Sequence, residues 1–93
     1  MAGGWSSAAV TDAEIVKCAE FAMAKGSFAS QSVAKFVVTS AKLQVVAGLN
    51  VEMNVDVHID GKCFVRNFQV YDRFGTLSLT RDEAVEGSSC TTK

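Results

Sequence analysis

The alternation of hydrophobic and polar positions divides this chain into one stretch of helical period followed by stretches of period two. Ile15, Cys18, Ala19, Ala22 and Met23 share one face at about 100° per residue, with Glu14, Lys17, Glu20 and Lys25 on the other. Thr11-Asp12-Ala13-Glu14 has the form of a capping box, a hydroxyl at the N-cap and a carboxylate three residues on, so a helix is predicted to start there and to end near Gly26. Phe21 lies on the polar side of this wheel, and the sequence names no partner for it.

After Gly26 the residues become β-branched and aromatic, in runs from Val33 to Val46 and from Leu49 to Ile59, separated by Ala47-Gly48. In the second run Val51, Met53, Val55, Val57 and Ile59 alternate with Asn50, Glu52, Asn54, Asp56, His58 and Asp60, which predicts an antiparallel strand with one wet face. Asp60-Gly61 is a type I′ turn signal, so the strand from Lys62 to Asp72 is expected to pair directly back. Phe64, Phe68 and Val70 share one face of it, interrupted by Arg66. Arg73-Phe74-Gly75 connects to a last alternating strand, Leu77 to Thr80, and Trp5 to Ala8 is a candidate short strand before the helix. The Ser- and Thr-rich tail from Glu86 is expected to be mobile unless Cys90 ties it down.

An antiparallel sheet with one apolar face needs a cover, and the single helix is the only one available. The expected fold is therefore α+β, one helix packed across a four- to five-stranded antiparallel sheet, in one domain spanning residues 1–93.

Composition narrows the function. With 48% hydrophobic residues, 20% charged and a net charge of −1, the chain has the profile of a compact domain and no basic patch for nucleic acid. No apolar run approaches the roughly 20 residues that cross a bilayer, and the N-terminus lacks the pattern of a signal peptide, so a soluble chain without membrane contact is expected. A cysteine–histidine catalytic pair would need a thiol beside His58, and neither Cys18 nor Cys90 has a sequence reason to be there. Asp56, His58 and Asp60 fall on one strand face, but no second histidine or nearby thiol completes a metal site, and a solvated face is the expectation. No enzyme activity, cofactor or metal is expected.

The three cysteines exclude a fully paired framework. Cys18 falls on the apolar helix face, leaving Cys63 and Cys90 as the candidate bridge; bridged, they imply an oxidising compartment, and reduced, they fit the cytosol.

Gln44-Val45-Val46-Ala47-Gly48 has the form of the Gln-x-Val-x-Gly signature of the cystatin family and stands between two long strands. Gly3-Gly4 precedes the helix as in that family's N-terminal trunk, and Phe68-Gln69-Val70-Tyr71 with Gly75 to Thr80 looks like the strands around its second hairpin. Taken alone, the first segment also reads as an ordinary β-turn carrying a valine pair. The resemblance covers nearly the whole chain.

Cystatins plug the cleft of papain-like cysteine proteases with the trunk and two hairpin turns, without any bond being attacked. The resemblance implies a reversible, tight-binding inhibitor of cathepsin L-type enzymes, with a non-inhibitory binding module of the same fold as the rival. The implied contact residues are Ala2, Gly3 and Gly4 of the trunk, Gln44, Val45, Val46, Ala47 and Gly48 of the first turn, and Arg73, Phe74 and Gly75 of the second. Replacing Gly48 is expected to weaken inhibition far more than folding. The pattern departs from the family at the trunk, where Ala2 stands in place of a larger apolar residue, and at the second turn, where Phe74 replaces Pro-Trp. Residues 26–32 contain no asparagine, so the legumain inhibition some members show is not expected. The implied protein is a monomer able to form a domain-swapped dimer, secreted or, as in the stefin branch, cytoplasmic.

Overall fold

A computed structural model of the chain describes residues 4–85, Gly87 and residues 89–90. In chain order the elements are β1 (Ser6–Ser7), α1 (Ala13–Lys25), β2 (Lys35–Val46), β3 (Gly48–Ile59), β4 (Lys62–Arg73) and β5 (Thr76–Ala84). The strands form one antiparallel sheet in the order β1-β2-β3-β4-β5, with the helix against one face, as the sequence predicts.

Asp12, rather than Thr11, caps the helix. Its backbone is extended and its Oδ1 accepts the Glu14 amide at 2.9 Å, so Glu14 stands one place too early for the reciprocal bond of a capping box. The helix stops at Gly26, whose amide donates to the Ala22 carbonyl. A Cβ at Gly26 would come within 2.7 Å of that carbonyl oxygen and 2.6 Å of an Asp82 carboxylate oxygen, so the chain can leave the helix along this path only without a side chain.

The expected helix face, Ile15, Cys18, Ala19, Ala22 and Met23, is buried against Val51, Met53, Val55 and Val57 of β3 and Phe68 and Val70 of β4. Each of the larger side chains, the valines, Ile15, Met23, Met53 and Phe68, contributes about 1.5–3 kcal/mol on leaving water, so this interface carries the fold. Phe21 packs at the margin of the same core. Burial pushes the Cys18 thiol up to about 12, aided by the neighbouring Glu14 carboxylate, which leaves it inert as a nucleophile.

Two bulges interrupt the ladders. The register shifts between Val38 and Ser40 in β2, and between Gln69 and Val70 where β4 meets β5. At each shift a threonine hydroxyl donates to a carbonyl of the facing strand, Thr39 to Asn54 and Thr80 to Gln69. The second bulge lets β5 run on to Ala84, past the predicted end at Thr80. It also turns Asp82 to the same face as its partner Phe68.

There Asp82 neutralises the charge that interrupts the apolar face. Arg66 donates to the Asp82 carboxylate from Nε at 3.0 Å and also from Nη2, and its guanidinium lies over the Phe28 ring. The same carboxylate accepts the Ser27 amide just past the helix. Burial raises the cost of ionising Asp82, but these partners outweigh it and hold the carboxyl below its ordinary range.

Candidate functional site

The strand order of a meander decides which turns meet. β1, the β2–β3 turn and the β4–β5 turn lie at one end of the sheet, while Asp60-Gly61 joins β3 to β4 at the other. The two turns at the first end are separated by two inter-strand spacings, about 10 Å.

The first turn is tight, since Val46 pairs with Gly48 across the single residue Ala47. Gly48 has φ +116°, and a Cβ there would lie 2.5 Å from the Asp72 carbonyl oxygen and 3.1 Å from the Arg73 Cα. The close approach that requires glycine is thus made within the chain, to the end of β4. Replacing Gly48 therefore carries a cost to the fold as well as the expected cost to inhibition. The Tyr71 hydroxyl donates to the Ala47 carbonyl, holding the turn from β4, the strand paired with β3. Val45 is 60% exposed, and the Gln44 amide oxygen accepts a hydrogen bond from Asn50 at 3.0 Å across the hairpin.

The second turn is two residues long, Phe74 at φ 52° and Gly75 at φ 99°, between the paired residues Arg73 and Thr76. Positive φ at both central positions is the type I′ form that matches the twist of the flanking strands. A bulky residue with positive φ is a rare arrangement costing about 1–3 kcal/mol. Here the ring gains little in return from the rest of the chain, for Phe74 is 84% exposed. Val45, Val46, Gly48 and Leu49 line a shallow apolar depression with Phe74 and Gly75, joining the two turns into one surface.

Asp72 fixes the second turn to the helix. Its Oδ1 accepts the Gly75 amide at 2.8 Å and its Oδ2 accepts Lys17 Nζ at 2.9 Å, with Lys17 also 3.0 Å from Glu14. Hydrogen bonding with Glu14, then with Lys17 and the Gly75 amide, holds the Asp72 carboxyl down at about 2, while Asp72 and Glu14 push the Lys17 ammonium above its ordinary value. Asp72, Lys17 and Tyr71 are supporting residues that sequence reasoning missed. An aspartate opening the four-residue segment Asp72-Arg73-Phe74-Gly75 is a turn signal that points to the first of them; nothing in the sequence points to the other two.

Of the trunk, Gly4 is exposed, and the pairing of Ser6 with Leu43 and Ser7 with Lys42 leads it toward Val45. Ala2 and Gly3 lie outside the described residues. Trp5 is 40% exposed and is not among the residues packed on the core. Arg73 is exposed beside Phe74.

The far end of the sheet carries the candidate bridge. Cys63 and Cys90 are joined by a disulfide with their Cα atoms 6.2 Å apart, which ties the end of the tail to β4. His58 stands directly opposite Cys63, and its Nε2 is 3.6 Å from the Cys63 sulfur. Asp56, expected on a solvated face, is only 2% exposed and lies beside both cysteine sulfurs. A sulfur does approach His58, although not as a thiol: the Asp60-Gly61 turn fixes a register that sets residues 58 and 63 face to face. With its sulfur bonded to Cys90, Cys63 offers His58 no nucleophilic thiolate.

Among the described residues no helix is long and apolar enough to cross a membrane. No curated protein matches the chain. Residues 3–83, from the trunk through nearly all of β5, match the family model of the cystatin domain. That family binds cysteine proteases as inhibitors rather than as enzymes, and it has secreted and cytoplasmic members. A match of that extent, on a helix laid across an antiparallel meander, places this chain in the cystatin family.

Proposed function

We propose that the chain is a reversible, tight-binding inhibitor of papain-like cysteine proteases of the cathepsin L type, acting as a single domain and a monomer. The observation that supports this most strongly is Phe74, a large aromatic held out at the tip of a two-residue turn in a costly backbone conformation, beside the exposed valine of the first turn. An exposed strained aromatic does nothing for the fold, and it suits a rigid probe for an apolar cleft.

Ala2, Gly3, Gly4, Gln44, Val45, Val46, Ala47, Gly48, Arg73, Phe74 and Gly75 form the proposed contact edge. It enters the cleft by shape and apolar contact, with little ordering left to do because both turns are already braced by Tyr71 and Asp72. In this scheme the turns fill the cleft without presenting a peptide carbonyl to the protease's own thiolate, so no covalent bond forms or breaks. Domain swapping would open the Val46-Ala47-Gly48 turn and abolish the edge, so a swapped dimer is inactive in this scheme. The Cys63–Cys90 bridge supports a secreted protein.

Titration of active papain or a cathepsin L-like enzyme with the chain tests the proposal. Residual hydrolysis should fall linearly to an endpoint at one inhibitor per active site, with the chain recovered uncut. Full activity at large excess would instead make it a non-inhibitory binding module.

A further inference from the structure

The disulfide end of the sheet gathers more chemistry than a covalent tie requires. The ligand atoms of Asp56, Cys63 and Cys90 all lie within 4.8 Å of one another, and His58 Nε2 lies 3.6 Å from the Cys63 sulfur. Three of these residues sit on one rigid hairpin. His58 and Cys63 are directly opposed two residues from the Asp60-Gly61 turn, and Asp56 precedes His58 on the same strand face. Cys90 arrives from the tail, which is led toward β4 by the hydrogen bond from the Val85 amide to the Val65 carbonyl.

Two sulfurs, an imidazole and a carboxylate make a donor set suited to a tetrahedral divalent ion of borderline softness. Zinc–ligand bonds of about 2.0–2.3 Å place neighbouring donors about 3.5 Å apart; His58 and Cys63 already stand near that distance, but the imidazole lies outside the group formed by Asp56, Cys63 and Cys90 and must turn inward for all four to meet. The sulfurs cannot serve while bonded to each other, because only thiolates bind the metal.

We propose that reduction of the Cys63–Cys90 bridge converts this end of the sheet into a zinc site ligated by Asp56, His58, Cys63 and Cys90. A dithiol reductant supplies two electrons to the sulfur–sulfur bond, which breaks; each cysteine sulfur gains a proton and the reductant leaves as its own disulfide. Zinc then displaces both thiol protons to water and takes the two thiolates. The 27-residue separation between Cys63 and Cys90 is closed by a covalent bond under oxidising conditions and by the metal under reducing ones, so the tail stays pinned in either. The site is at the opposite end of the sheet from the proposed inhibitory edge and does not depend on it.

The test uses the full chain, reduced with a phosphine and titrated with Co²⁺ as a spectroscopic probe. One Co²⁺ per chain should bind, with a sulfur-to-cobalt charge-transfer band in the near ultraviolet and the visible bands of a tetrahedral ion, and Zn²⁺ should bleach both. The oxidised chain should show neither. His58→Ala should weaken Co²⁺ binding by about tenfold or more, Cys90→Ser should remove most of the charge-transfer band, and Cys18→Ser should leave it intact. If the reduced metal-free chain loses structure, added metal should restore its circular dichroism. A reduced chain without the band, folded or not, overturns the proposal, as does a band that the oxidised chain shares or that Cys18→Ser removes. Oxidised His58→Ala should inhibit papain like the parent chain, so failure here and failure of the inhibitor reading remain distinct.

Discussion

In the proposed inhibitor Phe74 carries two free energies of opposite sign, a backbone cost to the fold and an apolar gain to a bound protease. Replacing it with glycine removes the ring and relieves the positive φ together. Phe74→Gly should therefore hold stability or raise it by about 1 kcal/mol, while weakening inhibition about tenfold or more. Thermal melts and inhibition constants on the same preparation check both signs. Asp72 behaves in the opposite way, because it braces the turn from beneath. Its carboxyl is held at about 2, below the ordinary value near 3.8, so its contribution to stability is present above about pH 4 and is lost as pH falls through about 2. Asp72→Asn should lower the melting temperature most near neutrality, and the gap from the parent chain should close across that acid window. A gap that stays constant with pH would show that the carboxylate's charge does not hold the turn.

At the scale of elements, the first turn and the end of β4 are one unit, because Gly48 lies against the Asp72 and Arg73 backbone. Gly48→Ala should destabilise the fold by about 1–3 kcal/mol through overpacking and positive φ. Its loss of inhibition should accompany that destabilisation, measured by denaturant unfolding beside the inhibition titration. The helix face, the β3 alternation and the Asp60-Gly61 turn were all legible in the sequence, since each is written in a local period or dipeptide. What was not legible depends on register. The bulge at Thr80 lengthens β5 and aims Asp82 at Arg66, and neither bulge changes the local pattern of residue types enough to be read. Likewise Asp56 alternates like a surface residue, yet it is 2% exposed, beside the bridge that ties Cys90 to Cys63.

Across the whole molecule, topology separates two ends with different chemistry. β1 and the two turns share one end, the proposed contact edge, and the disulfide, His58 and Asp56 occupy the other. The Gln44 to Gly48 segment was recognisable as a signature, but the brace behind it, Tyr71, Asp72 and Lys17, comes from strands and a helix remote in sequence. The separation of ends makes the inhibitory edge measurable by amide hydrogen exchange of the chain with and without saturating papain. Added protection is predicted in residues 44–49 and 72–76, with none around Asp60-Gly61. Protection confined to the Asp60-Gly61 end, or no protection at any amide, would contradict an inhibitory edge at the two turns.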